Sequence, residues 1–316
     1  MIYKLKELLK RSTALKIGVY IYRNALANID RLFKHCILKL DDGATHKVLS
    51  IDESLAYIKS VFNDYKKVSG KEKFYGKVLE LGPGDSDGVG LLFLSDGASH
   101  VDLADRFYSA RDSEQQKRIS DCLMAEYPRL SQLKPDLDKY LTRYYGEDAS
   151  GEKFFDKREG GYDMIVSRAV LEHVDDPELV IRKMYTSLNQ EGCLIHKVDL
   201  RDHGMFSPGK SAVKFLEVPG FLYKLMTCGS GLPNRYLFHR YKQLLQSLNP
   251  NVKFFCTGLH GVDPFQEIYK MDSIPAELEN HAITFIDSNK HLFAKESKKV
   301  PSKDLAISSF FFVLEK

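Results

Sequence analysis

The chain has 316 residues, 43% of them hydrophobic, enough for one large α/β domain with insertions or for two smaller domains. This hydrophobic fraction excludes global disorder, and a net charge of +3 without a long basic block gives no indication of nucleic-acid binding. The five cysteines are scattered and none forms a CxxC pair. They favour free thiols in a reducing compartment over a disulfide framework, and their spacing does not match a zinc site.

Residues 1–50 are predicted to form a basic amphipathic helical extension. Apolar residues recur at helical spacing, and residues 1–40 hold nine lysines and arginines against Glu7 and Asp30. Two interpretations stay open: the segment lies on an anionic membrane surface, or it packs on the body of the protein with a solvated basic face. No apolar run approaches the roughly 20 residues that span a bilayer, and no signal-peptide core is present, so we expect a cytoplasmic protein.

From residue 51 onwards, apolar periodicity predicts alternating helices and strands, the start of a doubly wound sheet. The predicted helices cover 52–67, 86–96, 176–189 and 237–248. The predicted strands cover 77–81, 99–105, 162–167, 193–200, 251–257 and 306–315. Residues 107–142 are polar and predicted helical, with interruptions at Pro128 and Pro135. Residues 201–235 are rich in Gly and Pro and are predicted to be an inserted lid or substrate loop.

The first predicted strand runs into a glycine-rich loop, ELGPGDSDG, with glycines at 82, 84 and 88. This GxGxxxG spacing differs from the GxGxxG of dinucleotide folds, although both let backbone N–H groups approach a ligand. The carboxylates of Glu80 and Asp85 flank the loop. Two anions suit a cationic ligand better than a pyrophosphate, so the loop favours S-adenosylmethionine (SAM), which carries an ammonium and a sulfonium, over a dinucleotide.

An acidic residue also ends the second predicted strand. Asp105 lies 21 residues after Gly84, the distance at which a carboxylate binds the hydroxyls of a ribose. The two features together indicate an adenosine-containing ligand.

These motifs resemble those of class I SAM-dependent methyltransferases over about residues 74–200. VLELGPGDSDG resembles the first motif of that family, and VDLADRF resembles its acidic second-strand end. YYGEDA is similar to the segment that contacts adenine, and YDMIVSRAVLEHVDDPE to the fourth-strand motif. LNQEGCLIHKVDL resembles the helix, turn and fifth strand, although Asn-Gln-Glu-Gly stands where Pro-Gly-Gly is commoner.

The resemblance implies a Rossmann-like α/β fold, with a doubly wound, seven-stranded, mostly parallel sheet whose last strand is antiparallel. Residues 51–316 would be the methyltransferase domain, preceded by the helical extension. SAM is the implied cofactor. The residues implied to bind it are Glu80, Gly82, Pro83, Gly84, Asp85, Asp105, Arg106, Asp148, Ala149, Ser167 and Arg168. In that family the acid at 148 and the backbone N–H at 149 would face adenine, and Ser167 and Arg168 would line the floor beneath the sulfonium.

Two histidines follow the carboxyl ends of strands, where sites on open α/β sheets lie. We predict His203, His173 and Asp199 as catalytic residues, with an acid that orients an imidazole as base, and Arg201 and Asp202 as substrate-binding residues. A packing role for His173 and a solvated loop for DLRDH stay open. A divalent metal held by Asp199, Asp202 and His203 is a further alternative, but we assign no metal.

SRAVLEHVDDPE together with DLRDH is similar to methyltransferases that occur with bacterial surface-polysaccharide enzymes. The chain lacks the Asn-Pro-Pro-Tyr-type motif of base amino methyltransferases. We therefore predict O-methylation of a sugar, a glycan end or a phosphorylated saccharide, with peripheral contact between residues 1–40 and the inner membrane face. The alternatives are methylation of a lipid, quinone or natural product, a SAM-fold binding protein without turnover, and a dinucleotide oxidoreductase.

Overall fold

A computed structural model describes residues 12–34, 46–107, 111–206, 213–262 and 267–316. The strands are β1 (Gly76–Leu81), β2 (Ala98–Asp105), β3 (Leu141–Tyr145), β4 (Tyr162–Arg168), β5 (Leu188–Asp199), β6 (Lys253–Leu259), β7 (Tyr269–Lys270) and β8 (Ile307–Glu315). The α-helices are α1 (Thr13–Lys34), α2 (Ile51–Ser69), α3 (Gly88–Asp96), α4 (Ser113–Glu126), α5 (Pro128–Leu133), α6 (Pro177–Ser187), α7 (Gly220–Thr227), α8 (Phe238–Leu248), α9 (Ala276–Asn289), α10 (Lys295–Lys298) and α11 (Ser302–Ala306).

The strands form one sheet in the order β3-β2-β1-β4-β5-β8-β6-β7. Strands β1 to β5 pair in parallel, whereas β8 is antiparallel to both β5 and β6. Because β7 has two residues and only extends the edge at β6, the other seven strands make up the doubly wound sheet. The prediction of a mostly parallel, seven-stranded sheet with an antiparallel last strand is confirmed.

Each face of the sheet carries its own hydrophobic core. Successive side chains of a strand point to opposite faces, and Ile165 and Val166 of β4 accordingly belong to different clusters. One core contains α2 and α3, and the other contains α6, α7 and α8. Because β1, β2, β4 and β5 are parallel, their carboxyl ends lie together at one edge of the sheet, which is where a site on such a sheet forms.

Helix α2 begins and ends at defined signals. The Ser50 hydroxyl accepts a hydrogen bond from the Glu53 N–H, while the Glu53 carboxylate accepts one from the Ser50 N–H, which makes a capping box. Gly70 ends the helix in the left-handed conformation, at φ +68°. The helix buries Phe62 and Tyr65 in the same core as α3, and its Asp64 accepts a hydrogen bond from Arg168 at the end of β4.

The segment predicted as an inserted lid contributes to the core. Its described residues include helix α7 and a 3-10 turn at Lys214–Glu217. Phe215, Tyr223 and Met226 are fully buried in the cluster that contains α6. The described part of the predicted lid or substrate loop thus contains short helices, which its Gly and Pro residues separate. Residues 207–212 lie outside the described residues.

Helix α1 packs on α7. The Asn24 and Asn28 side chains donate to the backbone carbonyls of Leu225 (3.0 Å) and Cys228 (2.9 Å), and the Lys16 amine donates to the Phe206 carbonyl (2.6 Å). This agrees with an extension that packs on the protein body. Residues 1–11 and 35–45, which carry much of the predicted basic charge, lie outside the described residues. None of the helices in the described ranges is long and apolar enough to cross a membrane.

Candidate active site

The glycine-rich loop between β1 and α3 needs glycine for two separate reasons. Gly82 and Gly84 have φ angles of +68° and +65°, which side chains disfavour. A Cβ on Gly82 would also lie 2.3 Å from Cγ2 of Val170. The Gly82 N–H donates to the Ala104 carbonyl (2.8 Å), which ties the loop to the end of β2, and Pro83 stands half-buried between the two glycines.

Arg143 of β3 holds this loop in place, and the sequence motifs gave no sign of it. Its guanidinium donates to the Gly84 carbonyl and to the Asp87 carboxylate. Arg111 binds the same carboxylate at 2.5 Å. Arg143 thus balances part of the negative charge at the loop.

Glu80 is buried beneath the loop, with 6% of its surface exposed. Within the described part of the chain, its Oε2 atom has no hydrogen-bond partner. Burial raises the pKa of Glu80 to about 8, the Arg143 cation opposes this rise, and Asp87 and Asp105 add to it. A buried carboxylate oxygen without a donor is destabilising unless it is protonated or meets a cation.

Asp105, at the end of β2, faces the same loop. Its two oxygens accept from the backbone N–H groups of Phe107 (2.8 Å) and Gly84 (3.3 Å). Burial raises the pKa of Asp105 to about 6, although these hydrogen bonds and Arg143 act in the opposite direction. Each carboxylate oxygen can accept a second hydrogen bond, so both can still receive a ribose hydroxyl.

Arg106 follows Asp105 and joins two loops at the sheet edge. Its Nε donates to Glu147 (3.0 Å), and its Nη1 lies 3.4 Å from Asp175. Its Nη2 is buried and has no hydrogen-bond partner among the described residues. Arg106 therefore fixes the segments after β3 and β4 and keeps one nitrogen for a ligand.

The predicted adenine segment forms a 3-10 turn at Glu147–Ala149, directly after β3. Asp148 pairs with Lys157 at 2.8 Å, and 58% of its side chain is exposed. Ala149 is buried, and its N–H donates to the Gly146 carbonyl (2.8 Å). The prediction that this N–H faces adenine is therefore wrong, because the turn uses it internally.

Three other residues that were predicted to contact the cofactor form hydrogen bonds elsewhere in the protein: Asp85, Ser167 and Arg168. Asp85 is buried, and its carboxylate accepts from the His46 and Lys47 N–H groups at 3.4 and 3.0 Å. The turn at 85–87 directs it towards the segment before α2 and away from the mouth of the loop. Asp85 is therefore not a second carboxylate that faces the ligand, and the preference of the loop for a cationic ligand depends on Glu80.

At the end of β4, Ser167 and Arg168 point to opposite faces of the sheet. The Ser167 hydroxyl is fully buried and shares a 2.7 Å hydrogen bond with Nδ1 of His196. Arg168 donates to Asp64 of α2 at 2.7 Å, and its guanidinium lies 6.0 Å from the Tyr57 ring centre. Ser167 cannot line an open floor as predicted, while Arg168 connects β4 to the helix that flanks the loop.

The three predicted catalytic residues come together at the ends of β4 and β5. The rings of His173 and His203 meet edge to face, with their centres 4.9 Å apart. His203 Nε2 lies 3.7 Å from an Asp199 oxygen. Glu172, which the sequence analysis left out, accepts from the Asp199 N–H at 3.1 Å. The strand order brings these residues together although Glu172 and His173 precede Asp199 and His203 by 26 to 31 positions on the chain.

Of the two predicted substrate-binding residues, only one remains accessible. Asp202 is buried, and its oxygens accept from the Gly204 and Phe206 N–H groups at 3.0 and 3.1 Å, so it stabilises the turn after β5. Its prediction as a substrate ligand is wrong, and the alternative metal set that includes it does not form. Arg201 pairs with Asp199 (2.8 Å) and remains half-exposed.

A cavity of about 580 Å³ opens beside this cluster, between the start of α6, helix α7 and the start of α8. A narrow cavity lined by Glu172, Asp199 and Arg201 adjoins it. The two share four lining residues, which are Tyr223, Asn234, Arg235 and Tyr236. All four belong to the insertion or follow it directly, and no motif marked them in the sequence.

The fold, the glycine loop and the acidic strand ends define a class I SAM-dependent methyltransferase. The chain belongs to the methyltransferase domain family, whose pattern matches residues 55–252, more than half of its length. The resemblance found in the sequence is thereby confirmed at the level of the family. No curated protein matches the chain.

The chain is similar to solved structures of methyltransferases at low sequence identity. Phosphoethanolamine N-methyltransferase 2 of Haemonchus contortus, in complex with SAM, is 11% identical over 80% of this chain and 52% of its own, with a TM-score of 0.42. The chain thus spans about half the length of that enzyme. An O-methyltransferase family protein of Burkholderia thailandensis is 11% identical over 78% of this chain and 68% of its own, with a TM-score of 0.38. The plantazolicin methyltransferase is 13% identical over 85% and 86%, with a TM-score of 0.40.

Proposed function

We propose that the protein is an O-methyltransferase that uses SAM and acts on a sugar, a glycan end or a phosphorylated saccharide of bacterial polysaccharide biosynthesis. The observation that carries the proposal is the buried oxygen of Glu80 under a glycine loop, which has no hydrogen-bond partner among the described residues and lies on the same sheet edge as the His173–His203 pair. When bound, SAM supplies a methyl group on a positively charged sulfur, which an acceptor oxygen displaces in line.

The residues around the loop fit the two ends of SAM. Glu80 has an oxygen to accept from the ammonium, and Gly82 and Gly84 allow close approach of the methionine end. Asp105 has acceptor capacity for the ribose hydroxyls. Asp148, exposed after β3, is the remaining acceptor for the adenine amine.

The cavity beside the histidines supports a polar, carbohydrate-like acceptor. Its lining is rich in polar and charged side chains, and the guanidinium groups of Arg235 and Arg240 lie over the rings of Tyr223 and Tyr236. Three of its four acidic residues have cationic partners: Asp175 faces Arg106, Glu178 pairs with Arg182, and Glu296 with Arg235. The fourth, Asp176, accepts a hydrogen bond from the Leu179 N–H at the start of α6.

Two basic residues of the same cavity have no such partner. No described residue forms a salt bridge with Lys224 or Arg240, although both line the cavity. Within the described ranges, these two cations stand against one acid without a cationic partner, Asp176, so the available charge of the cavity is positive. This favours an acceptor that carries a phosphate over a neutral lipid or quinone.

The histidine pair is suited to remove the acceptor proton. Burial lowers the pKa of His173 to about 4, with a further contribution from His203, and burial also lowers the pKa of His203. Both imidazoles are therefore neutral at pH 7, and His203 lies beside the Asp199 carboxylate, which can orient it.

Calorimetric titration with SAM tests the cofactor half of this proposal. We expect binding below millimolar SAM, a large loss in Glu80→Gln, and no loss in Glu277→Gln, an exposed acid of α9. Absence of binding in the wild-type protein would reject the proposal. Mass spectrometry after incubation with SAM and a panel of sugars and sugar phosphates then tests the acceptor, with a gain of 14 mass units as the expected signal.

The exposed face of α1 supports peripheral contact with an anionic membrane. Large apolar side chains lie exposed on it every three or four residues: Leu15, Val19, Tyr22, Leu26 and Ile29. Phe221 and Leu225, on the helix against which α1 packs, are exposed as well. With the basic excess of residues 1–40, this combination is typical of a helix that lies in the headgroup region.

Co-sedimentation with vesicles tests this contact. We expect the protein to bind vesicles that contain phosphatidylserine, to dissociate at high salt, and to lose binding in Leu26→Ser/Ile29→Ser. Leu292→Ser, at an exposed leucine far along the chain, is the matched control. Equal binding by the double variant would reject the contact.

A further inference from the structure

We infer that Glu172, His173 and His203 bind a divalent transition-metal ion on the acceptor side of the site. This assignment rests on the proposed function only for what the ion would do there, since the geometry of the ligands is independent of SAM. It replaces the set considered from the sequence, in which Asp202 would have been a ligand.

The three side chains converge on one point. Among the described residues, they form a group whose ligand atoms all lie within 4.8 Å of one another. Two ligands at about 2.1 Å from one ion can be at most about 4.2 Å apart, so only a small closure is needed. His203 can supply it, because its side chain is 32% exposed and its loop position, at φ +49°, lies outside the sheet.

Glu172 gives the independent indication that a cation belongs here. It is 2% exposed, and one of its oxygens accepts from the Asp199 N–H. The other oxygen has no hydrogen-bond partner in the described ranges. Burying such an atom without a partner destabilises the fold, whereas a metal ion would satisfy it.

His173 is oriented as a metal-binding histidine usually is. Its Nδ1 lies 2.7 Å from the Gly231 carbonyl oxygen, which can only accept, so Nδ1 carries the proton. Its Nε2 therefore has a lone pair directed away from that bond. A backbone carbonyl that fixes the tautomer of a ligand histidine is a recurrent feature of metal sites.

The donor set indicates which ion would bind. Two imidazole nitrogens and one carboxylate oxygen suit zinc, manganese, cobalt or iron better than magnesium or calcium, which prefer oxygen donors alone. Three protein ligands leave coordination positions open. Glu172 also lines the narrow cavity that adjoins the 580 Å³ cavity, so an acceptor oxygen that enters from there can complete the coordination.

An ion at this position would lower the pKa of a bound acceptor hydroxyl. The proton would leave to water, the oxygen would form its bond to the methyl carbon, and the carbon–sulfur bond would break with its electron pair remaining on sulfur. His203 would then act as a ligand, and the ion would take over the activation of the hydroxyl.

Titration of tag-free, chelator-treated full-length protein with Co²⁺ tests the site, followed by visible absorption and by calorimetry. We expect binding of one ion per chain, with an affinity at least about tenfold lower in each of Glu172→Gln and His203→Ala. His281→Ala, an exposed histidine of α9, is the matched control and should bind as the wild type does. Circular dichroism establishes that each variant is folded.

The possible results separate this inference from the proposed function. Absence of one-to-one binding, or binding that neither variant weakens, overturns the metal site. If SAM binds in a parallel titration while Co²⁺ does not, only the metal site is rejected. If Co²⁺ binds while SAM does not, the metal site stands and the proposed methyl transfer is rejected.

Discussion

The two halves of the active-site edge differ in how the sequence encodes them. The cofactor half is built from short contiguous stretches, in which the glycine loop and Asp105 lie next to strands that pair directly. The acceptor half combines Glu172 and His173 with His203, and with Tyr223 and neighbours from an inserted segment. The motifs of the cofactor site are therefore local in the sequence, whereas the proposed acceptor pocket arises from the packing of distant residues.

The largest effect should come from the acceptor half. His203→Ala is expected to lower turnover by about 100-fold or more, because it removes the imidazole at the acceptor oxygen. SAM affinity should change less than about twofold, since Glu80 and Asp105 are untouched. Product formation by mass spectrometry and SAM calorimetry measure the two effects. Turnover equal to that of the wild type would show that His203 has no role in the reaction.

In the cofactor half, Gly82→Ala should produce the next largest effect. The new Cβ would clash with Val170 at 2.3 Å and force a side chain into a left-handed backbone, so SAM affinity should fall at least about 30-fold. Gly70→Ala is the matched control, because Gly70 has the same φ of +68° and no described atom within 4 Å of its Cβ position. It should lower thermal stability slightly and leave SAM affinity intact. Equal losses in both variants would contradict a steric role for the loop.

The pKa of Glu80 predicts a moderate, pH-dependent effect. Since that pKa is about 8, the ligand-free carboxyl is mostly protonated at pH 6 and must release its proton to meet a cation. The ionised fraction of the ligand-free carboxyl rises about 50-fold between pH 6 and 8, so SAM affinity should rise by at least about tenfold over this range. Glu80→Gln should bind SAM weakly and lack this dependence on the ionisation of Glu80. Titrations at several pH values check this, and a wild-type affinity that is flat with pH would contradict it.

The same pKa determines the sign of a stability change. It lies above the ordinary value of 4.5, so protonation of Glu80 favours the folded, ligand-free state. Its contribution to the free energy of unfolding is present below about pH 4.5 and is lost as the pH rises through about 8. Thermal melts of Glu80→Gln should lack this loss, and SAM should offset it in the wild type.

The smallest predicted effect concerns Lys224, which lines the cavity from α7. Lys224→Ala should raise the KM for a phosphorylated acceptor about three- to fivefold, because a partly exposed charge contributes up to about 1 kcal/mol. The KM for the same acceptor without its phosphate should not change. Lys242→Ala, on the following helix and outside the cavity, is the control. An equal rise for both acceptors would argue against phosphate recognition by Lys224.

The fold and the core of the cofactor site could be predicted because both depend on local patterns. The alternation of strands and helices predicted β1, β2, β4 and β5 to within a few residues, apart from the earlier start of β5 at Leu188. The loop glycines and Asp105 were recognisable from their combined spacing, the acidic residues of the loop and the resemblance to the methyltransferase motifs. Helix α9 escaped prediction because its apolar periodicity is weak, and β3 because it follows a polar helical stretch.

The errors at the site share one physical cause. Asp85, Ser167, Asp202 and the Ala149 N–H are each next to a functional position, but each is used by a hydrogen bond inside the protein. A sequence shows that a polar group is near the site, yet not whether a backbone turn or a neighbouring strand already binds it. Arg143 and Glu172 were missed for the converse reason, since their importance depends on residues far away along the chain.

The packing of α1 on α7 has a consequence for where the protein would work. The outer face of α1 carries the apolar side chains proposed to meet a bilayer, while Asn28 on α1 bonds to Cys228, whose neighbours Lys224 and Thr227 line the cavity. The surface that contacts the membrane and the entrance to the cavity would then both involve the α1–α7 pair, so a displacement of α1 would also deform the entrance. Such an arrangement would make the location of the protein a condition for its activity, with the membrane acting as a positive effector.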